Sequence, residues 1–285
     1  MHTRTLLLCL LVAPRLLAQD STSLKPTSPP VAVGVTTGTM EFGDLRVQQG
    51  LTAVVRYRVA PAISLAASPT FARVAFPTTL GGGSVSGLTD LPVELDADRA
   101  FDLPWSPTPG AALGASLPVG DRQVGFGSGA VGANFGLGIG LSPTDAWSFH
   151  VGAGKALNDY SLYSSLGGSS SAWADLETSY QLLQRVEATV GFDGDIAAPA
   201  TDTIGPSRAV ALSMAMKIAG PYTVTLSGDH GISGAAARWT FAIGFGTDFA
   251  GIQALGSSSP IQRFMKSLGG QSHRNGGSSS RHGKP

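Results

Sequence analysis

Residues Val131 to Leu141 read VGANFGLGIGL, and the reading of this stretch decides the fold. Val131, Ala133, Phe135, Leu137, Ile139 and Leu141 share one parity, while Gly132, Asn134, Gly136, Gly138 and Gly140 share the other. Successive side chains of a strand point to opposite faces, so this is a ribbon with one apolar face and one nearly bare face. Its length suits the roughly nine to eleven residues of a tilted strand crossing a bilayer.

The same alternation continues on both sides. Trp147, Phe149, Val151 and Ala153 oppose Ser148, His150, Gly152 and Gly154. Val210, Leu212, Met214, Met216 and Ile218 oppose Ala211, Ser213, Ala215 and Lys217, and Trp239, Phe241, Ile243 and Phe245 oppose Arg238, Thr240, Ala242 and Gly244. Read through the chain, the pattern predicts about twelve strands, near 31–41, 47–59, 63–75, 88–97, 110–118, 129–141, 147–156, 172–182, 185–193, 208–218, 222–229 and 237–249. The fold class expected is all-β: a transmembrane antiparallel up-and-down β-barrel. A secreted soluble β-sandwich is the structural alternative, because it too has one apolar face per strand.

Three features favour the barrel. Short turns follow the even strands, at Ala60-Pro61, Ser142 to Ala146, Leu183-Gln184 and Ala219 to Pro221. Longer loops follow most odd strands, at 77–87, 119–128, 157–171, 194–207 and 230–236, as in barrels with short periplasmic turns and long outer loops. The short loop Gly43 to Arg46 and the long connection 98–109 depart from that rule. Aromatics on the apolar face gather at strand ends, with Tyr57, Trp147, Tyr180, Tyr222 and Phe245 at one rim and Phe71, Phe192 and Trp239 at the other, where interfacial girdles belong. The charges within the strands fall mostly on the opposite face. Arg73 and Lys155 share the apolar parity but sit at strand ends.

The chain begins with a short basic segment and an apolar run, then Ala18 before Gln19, the pattern of a cleaved export signal at 1–18. A short periplasmic segment, 19–30, then leads into the barrel, 31–250. The Gly/Ser/basic tail 251–285 has the composition of a disordered segment. The one cysteine, Cys9, lies in the signal, so the mature chain has no disulfide and no cysteine-based metal site. Charged residues are 13%, against roughly 25% in soluble domains. Nineteen basic residues balance nineteen acidic ones, which gives no electrostatic footprint for nucleic acid.

The candidate lumen-lining residues are Arg56, Arg58, Asp90, Glu94, Asp96, His150, Asp175, Glu177, Glu187, Asp193, Lys217 and Arg238. Such charges either line a pore or pair with one another to hold the wall. The wall of the fifth to seventh strands carries almost no side chains, leaving water or room for an infolded loop. No site is catalytic, metal-binding or cofactor-binding on this reading. His150 beside Ser148 reads as lining, since hydrolysis needs a full nucleophile, base and acid. Asp229-His230 reads as a loop dipeptide, and the Gly clusters lack the Lys-Ser/Thr of a phosphate loop.

Gly87-Leu88-Thr89-Asp90-Leu91-Pro92-Val93-Glu94-Leu95, followed by Ala112-Leu113-Gly114-Ala115-Ser116-Leu117-Pro118-Val119-Gly120-Asp121, resembles a known pattern. It is similar to the outer-membrane barrels associated with the meta-cleavage pathway of phenol degradation, where a Gly-Asp-rich strand precedes one ending Leu-Pro-Thr-Gly-Asp. Val119 stands in place of that threonine, and Thr89 separates Gly87-Leu88 from Asp90. The resemblance implies a barrel that passes small, often hydrophobic or aromatic compounds. The function expected is a non-enzymatic outer-membrane channel or transporter, without cofactor. The alternative is a structural or adhesive barrel with a filled lumen. Its partners would be outer-membrane lipid, the outer-membrane insertion machinery and a small-molecule solute.

Overall fold

A computed structural model describes residues 30–123, 126, 127, 129–156, 172–197, 208–233 and 237–247. The signal segment 1–18, almost all of 19–30, the tail 251–285 and the connection 157–171 lie outside the described residues. So does most of the loop expected at 194–207.

Fourteen strand segments form one sheet of twelve staves, because two staves are interrupted. They are β1 Val31–Glu41, β2 Val47–Ala60, β3 (Ile63–Ala67 and Thr70–Ala75) and β4 (Ser84–Leu88 and Leu91–Asp98). Then follow β5 Thr108–Leu117, β6 Gly132–Leu141, β7 Trp147–Ala156 and β8 Ala172–Leu183. The last four are β9 Val186–Ala197, β10 Arg208–Ala219, β11 Tyr222–Gly231 and β12 Trp239–Thr247. Every stave pairs antiparallel with its chain neighbours. Gly38 of β1 faces Gly50 of β2 on one side and Ala242 of β12 on the other, so the sheet closes and has no free edge.

Burial in this barrel is inside out. Leu137 is 62% exposed and Leu113 60%, whereas Asp96 and Asp175 are each 2% exposed. A soluble sandwich does the reverse, hiding apolar side chains and solvating charges. An apolar outer band over a polar interior is the arrangement of a transmembrane barrel. That excludes the sandwich.

Both rims carry the expected aromatics. Trp147 and Tyr180 pack at 4.7 Å between ring centroids, and Tyr222 and Phe245 at 5.6 Å, all at the end bearing the tight turns. Trp239 packs on His230 at 4.3 Å at the end bearing the loops. Two tight connections depend on glycine at positive φ, Gly43 (58°) between β1 and β2 and Gly220 (54°) between β10 and β11.

Several boundaries differ from the sequence reading. β4 begins at Ser84 rather than 88, so the connection read as 77–87 is shorter. Phe71 of β3 faces Leu88, but Ala67 faces Val93, so four steps along β3 span five along β4. The extra residue is a bulge at Thr89-Asp90, which reverses the side-chain parity along the stave. β6 starts at Gly132 and β12 at Trp239, which leaves Arg238 outside its strand. β11 runs through Gly231, so Asp229-His230 lies within a strand, not a loop. Its two side chains therefore point to opposite faces, and His230 is held outside by Trp239 and by Nδ1 at 2.9 Å from the Arg238 carbonyl.

Candidate functional site

Among the described residues, buried polar groups converge in the lumen. On one wall, Arg56 of β2 donates from Nε to Ser64 Oγ at 2.7 Å and from Nη2 to Asp96 Oδ2 at 3.2 Å. Ser64 sits on β3 between them, opposite Arg58 on β2 and Asp96 on β4. The three side chains thus form a band across adjacent staves, close to full burial. Above it, Thr52 and Thr70 share a hydroxyl hydrogen bond of 2.8 Å. Arg58 and Glu94 face the same side and are half-buried. Removing one partner of a buried ion pair typically costs about 3–5 kcal/mol, whereas replacing both by apolar groups is often nearly neutral. Arg56→Leu is therefore expected to lower unfolding stability in urea by that amount. Arg56→Leu with Asp96→Leu should recover most of it. No loss in the single variant would mean that the pair does not hold this wall.

The wall of β6 and β7, bare in sequence, is covered by its neighbours. A Cβ at Gly138 would lie 2.8 Å from His150 Cε1, and one at Gly152 would lie 2.6 Å from Asp175 Oδ1. Trp173 of β8 lies across both Gly136 and Gly154, within 3.2 Å of either Cβ position. These glycines are berths for large side chains rather than open water. His150, 5% exposed, places Nε2 3.5 Å from Asp175 Oδ2. Glu177 faces His150 across the β7–β8 ladder, and Asp193 of β9 faces Asp175. Glu187 follows on β9, half-buried. In a ring of twelve staves, β8 stands opposite β2, so an acidic wall faces the one bearing Arg56 and Arg58.

Two expected lining residues lie elsewhere. Lys217, on the inward parity of β10, is exposed where the stave meets its turn, and Arg238 is exposed in the connection before β12. Asp90 is not on a regular strand either. It occupies the β4 bulge, 2% exposed, and accepts the Gly120 N–H at Oδ1, 3.0 Å away.

That contact fastens an infolded loop. The β5–β6 connection turns inward after Leu117, and the Asp90 N–H donates to the Phe126 carbonyl at 3.2 Å. Phe126 and Gly127 each donate to the Asp121 carbonyl, at 2.8 and 3.1 Å. Phe126, 3% exposed, is buried among Met40, Phe42, Ala72 and Ala242 inside the loop end of the barrel. Gly87 leaves room for its ring, since a Cβ there would sit 3.1 Å away. Gly120 and Gly127 touch backbone to backbone, and a Cβ on either would lie within 2.4 Å of a main-chain oxygen. Arg46, in the β1–β2 turn, spreads its guanidinium 4.3 Å over Phe42, and burial lowers its pKa from the ordinary arginine value. The sequence reading allowed for an infolded loop but identified neither the loop nor the residues that seat it. Its signal was a lone phenylalanine in a Gly-rich loop.

No protein-family model matches the chain, and no curated protein does. Solved structures do. The barrel is similar to an outer membrane channel from Pseudomonas putida F1, with a TM-score of 0.60, 10% identity, and 80% of this chain and 99% of that one covered. The fold is that of an outer-membrane β-barrel. It is also similar to the NanC porin (TM-score 0.51, 12% identity, 75% and 98% covered) and the KdgM porin (0.50, 12%, 76% and 99%). At such identities the likeness concerns architecture. The lining residues have to be read from this chain alone.

Proposed function

We propose that this protein is a bacterial outer-membrane channel for small solutes, with its loop end outward and narrowed by the β5–β6 loop. The observation that carries the reading is the closed barrel with an apolar exterior and an interior of polar, ionisable side chains, Leu137 against Asp96 and Asp175. Export through a cleaved signal, insertion by the outer-membrane machinery and contact with outer-membrane lipid follow from that placement.

The lining supports water-soluble solutes more than the hydrophobic compounds implied by the resemblance to the phenol-degradation barrels. Beside Trp173 and the apolar cluster around Phe126, it carries Arg, Asp, Glu, His, Thr and Ser, and an apolar solute would cost these groups their hydration without replacing it.

Planar-bilayer conductance of the refolded full chain tests the proposal. Discrete current steps are expected, with a weak preference for cations, because inward carboxylates outnumber Arg56 and Arg58. Raising salt should reduce the preference, since the Debye length is about 10 Å at 0.1 M. Asp175→Asn with Glu177→Gln should move the reversal potential toward anions. The packed band of Arg56, Ser64, Asp96, Thr52 and Thr70 favours a second reading, a barrel whose filled lumen is structural. A correctly inserted but silent protein would select it.

A further inference from the structure

The lipid-facing wall has a polar interruption on β1 to β3. Thr39, Gln49 and Arg73 share the outward parity of the valines and leucines around them. Ladder pairing sets Arg73 beside Gln49, Gln49 beside Thr39, and Thr39 beside Phe241. This row lies one outward position below Glu41 and Trp239, which pair at the loop-end rim. The next row toward mid-barrel is mostly apolar: Phe71 beside Leu51, Leu51 beside Thr37, Thr37 beside Ile243.

Shape accompanies this change of polarity. Thr37, Gly38, Thr39 and Gly50 are small, and the walls on either side rise to Phe71 and Phe241, leaving a trough of about 690 Å³. Thr37 turns its hydroxyl onto the Gly50 carbonyl at 3.1 Å, so the trough floor presents a methyl group. Arg73 donates only to Ser84 Oγ, at 3.4 Å, and among the described residues no carboxylate lies within 4 Å of it. A guanidinium at rim depth on a lipid-facing wall is tolerated, but its fork of donors suits an anion with several oxygens.

We propose that this trough binds lipid A, the phosphorylated glycolipid of the outer leaflet, with one phosphate on Arg73 and one acyl chain along Thr39 and Thr37. The charge is complementary at the rim, and the trough runs from polar to apolar in the order of a headgroup and its chain. A chain lying in a trough buries more apolar surface than one against a smooth wall. The inference rests on the outer-membrane reading with the loop end outward.

Native mass spectrometry of the full chain in detergent, titrated with lipid A, tests it, with heat-modifiable mobility reporting the fold. Wild type is expected to retain one lipid A. Arg73→Gln removes the phosphate ligand and Thr39→Trp fills the trough; each should weaken retention about tenfold or more. Dephosphorylated lipid A and phosphatidylglycerol should bind wild type about tenfold more weakly. Equal retention by folded Arg73→Gln and Thr39→Trp would overturn the proposal. So would indifference to the phosphates, equal binding of phosphatidylglycerol, or a lipid-free dimer that the substitutions dissociate. Conductance measured on the same samples separates the two readings. Lipid A retention that needs Arg73 in a silent barrel would sink the channel alone, and normal conductance with retention indifferent to Arg73 would sink the site alone.

Discussion

Leu137→Arg is expected to cost about 2–4 kcal/mol in folding into lipid vesicles, whereas the same change at Leu117 should cost about 0–1 kcal/mol. Leu137 is outward, mid-stave on β6, and faces Ala111 and Ala153 on its neighbours. A guanidinium there cannot reach water without distorting the bilayer. Leu117 is also outward but ends β5 at the loop rim, where an arginine can snorkel. The two substitutions share chemistry and differ only in depth. Folding yield, read as the heat-modifiable band on gels, and urea titration of the folded fraction measure the difference. Equal losses at both positions would mean that depth, and with it the membrane-spanning assignment, is wrong.

The alternation around Val131–Leu141 was legible because the two faces of a membrane strand meet different solvents, and nothing inside β6 disturbs the period. β4 shows what defeats the same reasoning. One extra residue at Thr89-Asp90 reverses the parity, so Ser84–Leu88 reads out of phase with Leu91–Asp98 and its first half passes for loop. A bulge is a local event with a long-range consequence. Period-two reading assumes there is none.

Which inward residues meet was beyond the sequence for a related reason. Parity places Asp175, Glu177 and His150 inside, but their pairing requires the β7–β8 register, and 157–171 could set several registers with the same parity. The register that puts Asp175 against Gly152 also drops its carboxylate into the space that glycine leaves. The bare wall of β6 and β7 therefore marks where neighbours lie down. Gly138, Gly152 and Gly154 look dispensable in sequence because the side chains that need them come from other strands. Arg56 and Asp96 were read as inward charges, yet their pairing across Ser64 depends on the order β2, β3, β4 and on both registers within it.

Phe126→Ala should unseat the β5–β6 loop and increase open-channel current, and Asp90→Ala should do so to a lesser extent. Phe126 loses its burial among Met40, Phe42, Ala72 and Ala242. Such truncations cost about 3–5 kcal/mol in a closed core, and that figure is an upper limit for a side chain near an open end. Asp90→Ala removes the carboxylate that accepts the Gly120 N–H, a bond worth about 1.5–3 kcal/mol, while the backbone N–H of residue 90 can still hold the Phe126 carbonyl. Each 1.4 kcal/mol removed from the seated state raises the unseated fraction about tenfold. The phenylalanine change should therefore dominate, and the pair together should fall short of additive because both act on one loop. The barrel itself should keep its heat-modifiable mobility, since neither residue belongs to the ladder that closes it. Single-channel recordings of the three variants decide the matter. If all three insert and conduct as the wild type does, the loop does not narrow the permeation path, and the solute must pass beside it.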